Sequence, residues 1–96
     1  MIEQDKHREL DAGVAEYVMG YGKLQDWYWR PAFSTNIKHA WSVMEKMQDA
    51  WLPSLFHDGQ LWVCEFYDGK RKVIASALTA PLAICLAALA AVDAER

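Results

Sequence analysis

The sequence predicts a single α+β domain, a three-stranded antiparallel meander packed by helices in an α-β-α sandwich, with the element order α-α-β-β-β-α. Three observations carry this. Two Asp-Gly pairs, Asp58-Gly59 and Asp68-Gly69, separate three short runs rich in β-branched and aromatic residues, the pattern of consecutive hairpins. A polar-capped apolar stripe at helical spacing precedes these runs, and an alanine-rich apolar segment follows them. The expected strands are apolar on both sides, so both faces of the sheet need cover.

The first helix is expected over residues 5–19. Leu10, Val14, Tyr17 and Val18 fall on one face, while Glu3, Lys6, Arg8, Glu9 and Glu16 stay mostly wet. Gly13 weakens its middle, and Gly20 supplies a left-handed stop.

Residues 21–33 form an irregular connection crowded with Tyr21, Trp27, Tyr28, Trp29 and Phe33. A short strand is expected over 27–30, ended by Pro31. Connections this long in so small a domain are often functional. One reading is that the rings cap the open ends of the core. The other is a stacking platform, with Arg30 beside it, for a base, a nucleotide or a peptide side chain.

The second helix is expected over 35–50. Ser34 or Thr35 caps it by accepting from a free backbone N–H. Ile37, Ala40, Trp41, Met44, Met47 and Trp51 make its apolar stripe. Its start, with Ser34, Thr35 and Asn36, offers N–H groups and polar side chains to a phosphate or carboxylate, although most capped helices offer the same.

The meander occupies 53–56, 61–67 and 71–77. Two-residue turns would set Trp62 opposite Leu55 and Ala75, Cys64 opposite Val73, and Glu65 opposite Lys72. Leu55, Trp62, Cys64, Phe66, Val73 and Ala75 then share one face. Phe56, Leu61, Val63, Tyr67 and Ile74 share the other with the Glu65–Lys72 pair. The first helix, the aromatic connection or another subunit is expected to cover that second face.

The third helix is expected over 81–94, with Thr79 as cap and Pro81 in the first turn. Leu82, Cys85, Leu89 and Val92 form one stripe, and Ile84, Leu86, Ala87, Ala88 and Ala91 spread apolar surface around the rest. A helix apolar on every side is buried on every side, which points to self-association through it.

Composition narrows the function. A net charge of −3 argues against a nucleic-acid coat. The first ten residues are polar, unlike a secretory leader, and the thirteen-residue apolar run 80–92 is too short to span a bilayer. A cytoplasmic protein with no membrane contact is expected. Cys64 and Cys85 lie within apolar patterns and read as reduced core thiols. His7, His39 and His57 sit on separate elements without metal-ligand spacing. Glu45, Asp49, Glu65 and Asp68 offer no acid–base pair, and Gly20 and Gly22 make no phosphate loop. No enzyme, metal or cofactor is expected. Lys70-Arg71-Lys72 reads as an edge strand guarding itself against pairing. The order helix, three antiparallel strands, helix also resembles the double-stranded RNA-binding fold, but residues 79–82 lack the lysines such domains use at the start of the last helix.

Taken in order, the runs ELDAGVAEYVMG, FSTNIKHAWSVMEKM, LWVCEFYDG and TAPLAICLAALAAV resemble the phage ABA sandwich domain family, small proteins encoded in bacteriophages and prophages. The VMG, MEKM and APLAIC segments are the most specific. Family members typically carry an arginine after AIC, where this chain has Leu86; a ligand contact made by that arginine is absent here or falls to Arg30. The resemblance implies a three-layer α-β-α arrangement and brings no established activity.

Two functions are expected on this basis. The first is a phage anti-defence accessory that sequesters a ligand, such as a host immune cyclic nucleotide, without catalysis. Trp27, Tyr28, Trp29 and Arg30 would supply stacking and charge, and Ser34, Thr35 and Asn36 the phosphate contacts. The alternative is a protein-interaction module that inhibits a host protein through the same aromatic surface. Double-stranded RNA binding is a distant third.

Overall fold

The computed structural model describes residues 2–20 and 32–95, with side chains from His7 onward. The expected short strand at 27–30 and the aromatic connection up to residue 31 lie outside the described residues; Phe33, at its end, is buried, as expected of a ring that caps the core. The elements are α1 (Ile2–Gly13), continued by a π-helical stretch (Val14–Val18), α2 (Ile37–Met47), β1 (Leu52–His57), β2 (Trp62–Tyr67), β3 (Lys72–Ala77) and α3 (Ala80–Ala94). This is the expected α+β order, with a single antiparallel sheet ordered β1-β2-β3.

The first helix does not stay α-helical. The Met19 N–H donates to the Val14 carbonyl at 2.9 Å, five residues back. Val14, Ala15 and Val18 of this stretch enter the core, while Tyr17 is half exposed, against the expectation for Tyr17. Gly13, at the switch, lies against Leu89 of α3; a Cβ there would stand 3.6 Å from its methyl. Gly20 ends the segment with φ +75°, as expected.

On α2 the buried stripe is Ala40, Val43, Met44 and Met47, which is ideal i, i+3, i+4, i+7 spacing. Ile37 and Trp41, expected in the stripe, are half exposed, and Val43 takes their place. The helix is capped by Asn36, whose side-chain oxygen accepts from the Lys38 and His39 N–H groups at 2.9 and 3.4 Å. Neither Ser34 nor Thr35 is the cap.

The hairpin registers also differ from expectation. Each connection holds four residues between the strands, because an aspartate folds it from within. Asp58 Oδ1 accepts from the Gln60 and Leu61 N–H groups, and Asp68 Oδ1 from those of Lys70 and Arg71. Gly59 and Gly69 take up φ +102° and +98°. Trp62 therefore sits opposite His57 and Ala77, Cys64 opposite Leu55 and Ala75, and Glu65 opposite Ile74. The shift is two residues, so every strand side chain keeps its expected face; Leu61, expected on the outer face, instead lies in the first connection.

The inner face carries Leu55, Trp62, Cys64, Phe66, Val73, Ala75 and Ala77, all part of or packed on the core. The α3 helix crosses β2 and β3 and also meets α2, α1 and the π-helical stretch. Thr79 caps α3, with its hydroxyl accepting from the Leu82 N–H at 3.4 Å. The alanines at 83, 87, 88 and 91 are buried, which allows this close approach on several sides. Met44 of α2 brings its Sδ to 4.0 Å from Cys64 Sγ. Cys64 and Cys85 are both free and buried.

The outer face behaves differently. Leu52 is 70% exposed, Ile74 56%, Phe56 44% and Tyr67 41%. None of these four joins the core cluster, whereas Val63, on the same face, is buried. The first helix, expected as a possible cover, packs on α3 instead.

Candidate functional site

The groove with the strongest claim to function lies where α1, the start of α2 and the start of α3 converge. It encloses about 1050 Å³. Its apolar wall is Leu10, Ile37, Leu78, Pro81, Leu82 and Leu86. Its polar lining is His7, Glu9, Ser34, Thr35 and Thr79. A shallower pocket of about 300 Å³ adjoins it through Ile37 and adds Lys38 and Trp41. Leu78 and Leu86 are exposed, so the apolar track is open to a partner.

The polar end is built by a carboxylate in an apolar stripe. Asp11 stands at i−3, i−4 and i−7 from Val14, Ala15 and Val18, and only 6% of it is exposed. A buried carboxylate needs donors. The Ser34 N–H supplies one, reaching Asp11 Oδ1 at 2.8 Å. One turn earlier on α1, His7 Nδ1 lies 3.1 Å from Ser34 Oγ. Beyond Ser34 the turn is fixed further. The Ala32 N–H donates to His39 Nδ1 at 2.9 Å, and the Ala32 carbonyl accepts from the Asn36 N–H at 2.9 Å. Buried Phe33 meets the His39 ring edge-on.

His7 and Ser34 have the spacing of a base and a nucleophile, but the third member is misplaced. Asp11 holds the Ser34 backbone rather than orienting the His7 ring, and Ser34 is 1% exposed. The cluster is a tie between α1 and the approach to α2. Among the described residues, no group of three His, Cys, Asp or Glu side chains is placed to hold a metal ion. Burial and then the nearby Glu65 raise the Cys64 thiol to about 12, and burial raises Cys85 in the same direction, so both stay protonated. No described helix is long and apolar enough to cross a membrane.

Of the residues expected to bind a ligand, Ser34 and Thr35 line the groove. Ser34 spends its hydroxyl and N–H on His7 and Asp11, and Asn36 spends its side chain on capping α2. Trp27, Tyr28, Trp29 and Arg30 lie outside the described residues. The sequence reading missed His7, Asp11 and the leucine wall. A signal for Asp11 was present, since an acid within the stripe 11, 14, 15, 18 calls for a buried partner.

The architecture is shared with a solved protein. The 2.0 Å crystal structure of a phage protein from Bacillus cereus ATCC 14579 matches with a TM-score of 0.75 at 29% identity, covering 90% of this chain and 86% of that one. Among curated proteins, none matches. Residues 12–89 match the phage ABA sandwich domain, a span that takes in the π-helical stretch, α2, the whole sheet and most of α3. By that match and by its fold, this chain belongs to the phage ABA sandwich domain family.

Proposed function

We propose that this phage-family domain works by binding rather than by catalysis, and that its groove takes an apolar segment of a host protein and so blocks it. One observation carries the reading: six apolar side chains wall a groove of about 1050 Å³, and among the described residues its lining contains no Lys or Arg. Such a surface suits side chains of a partner better than a polyphosphate. The Asp11–Ser34 bond holds α1 against the approach to α2 before any partner arrives, which lowers the ordering cost of binding. The test is affinity capture from host lysate with the wild-type chain and with Leu78→Asp/Leu86→Asp, both exposed positions. The reading expects a host protein retained by the first and lost by the second. Identical captures from both would refute it.

A second reading, sequestration of a small anionic ligand such as a host immune cyclic nucleotide, is favoured by a separate observation. Residues at the starts of α2 and α3, Thr35 and Thr79 among them, line the groove. A ligand present at a hundred times its dissociation constant adds about 2.7 kcal/mol of stability. A thermal shift with one cyclic nucleotide, removed by Thr35→Val, would put this reading first.

A further inference from the structure

The outer face of the sheet is a surface the groove does not explain. Its nine outward positions run Leu52, Ser54 and Phe56 on β1, Val63, Glu65 and Tyr67 on β2, and Lys72, Ile74 and Ser76 on β3. Five are apolar, and four of these, Leu52, Phe56, Tyr67 and Ile74, are exposed, where a wetted antiparallel face would carry polar groups. We propose that two copies of this chain associate through this face, sheet against sheet, about a two-fold axis.

The charges on the face favour a second copy over an unlike partner. It carries one acid, Glu65, and one base, Lys72, and no other charged residue. Among the described residues neither has an ion-pair partner; the ion pair that is formed joins Arg71 to Asp68. An isologous interface must hold both halves of every contact on one patch. This patch does so: Glu65 of each copy meets Lys72 of the other, twice over. The sheet edges are poorer routes. Pro53 lacks a donor on β1, and Lys70, Arg71 and Lys72 crowd the β3 edge with positive charge.

Area sets the strength. Three strands ~4.8 Å apart and six residues long at ~3.4 Å each give roughly 300 Å² in projection. With corrugation, two such faces bury about 1000 Å² of accessible surface, the lower bound for a specific interface. The dimer is therefore weak, with a dissociation constant of about 1–100 μM.

Sedimentation velocity from about 1 μM to about 1 mM tests this, given the concentration range such a constant requires. The expected mass climbs from the 11.0 kDa monomer toward its double. Ile74→Asp, at an exposed position, remains monomeric throughout while its thermal melt is retained. Glu65→Lys and Lys72→Glu each weaken association about tenfold or more, a shift typical of like charges brought together, and the double exchange restores it. A monomer at every concentration overturns the proposal, as does a dimer indifferent to Ile74→Asp. A double exchange that fails to rescue the single ones overturns it too.

Discussion

The Ser34 backbone N–H and the Asp11 carboxylate meet at 2.8 Å across 23 residues of chain, almost wholly out of water. This bond fixes α1 against the turn that launches α2, and so sets the polar end of the groove. Removing the acceptor leaves a buried N–H unsatisfied, at a cost of about 1–3 kcal/mol. Asp11→Ala is expected to lower stability by that amount in urea denaturation. Asp11→Asn keeps an acceptor and should lose about half as much or less. Equal losses from the two variants would mean that the bond contributes little.

Arg71 joins three elements. Its guanidinium donates to Asp68 Oδ2 at 3.0 Å and to the Ala94 carbonyl at 2.6 Å, and sits 5.5 Å from the Trp51 ring centroid. Trp51 Nε1 in turn donates to Glu95 Oε1 at 2.9 Å. A lysine cannot reproduce a planar fork that stacks and donates at once. Because Arg71 is half exposed, Arg71→Lys is expected to cost only about 0.5–1.5 kcal/mol, and to raise hydrogen exchange at the end of α3. Unchanged exchange there would dismiss the clamp.

The hairpins carry an acid limit. Asp68 is lowered from 3.8 to about 2, first by the Arg71 and Lys70 backbone N–H groups and then by the Arg71 side chain. Asp58 is shifted the same way by the Leu61 and Gln60 N–H groups. A carboxylate depressed in the folded state stabilises it above the unfolded value and ceases to do so as pH falls through the folded one. Stability should decline between about pH 4 and pH 2, and Asp68→Asn should flatten that decline. A slope that is the same in the variant would contradict this.

Alkali acts through the buried thiols. Cys64 titrates at about 12 when folded against 9.0 when free, because burial and then Glu65 disfavour the thiolate. A raised folded value means stability is full below 9 and falls as pH rises toward 12. The native chain should resist a thiol reagent at pH 8, and Cys64→Ala/Cys85→Ala should lessen the alkaline loss. Rapid labelling of native protein would refute the buried, protonated state.

Much of the fold was legible because local chemistry and burial agree. Asp58-Gly59 and Asp68-Gly69 marked both turns, and the two-residue register shift left the faces intact since side chains alternate with a period of two. The register itself was not legible, because an aspartate side chain, rather than a two-residue turn, closes each hairpin. Tyr17 was misplaced for a different reason: the buried stripe runs 11, 14, 15, 18, with Asp11 in it, and Tyr17 lies to one side of that stripe. The groove was hidden for another reason. Its walls come from α1, α2 and α3, and no single stretch of sequence shows a surface assembled from three.

The most direct measurement is the affinity of the groove for a partner enriched from host lysate, titrated calorimetrically against wild type and Leu78→Asp/Leu86→Asp at matched folding. A loss of about 2 kcal/mol or more in the variant, the scale of an interface hot spot, is the predicted result. Equal affinity for both proteins would contradict the account, because binding would then bypass the leucine wall.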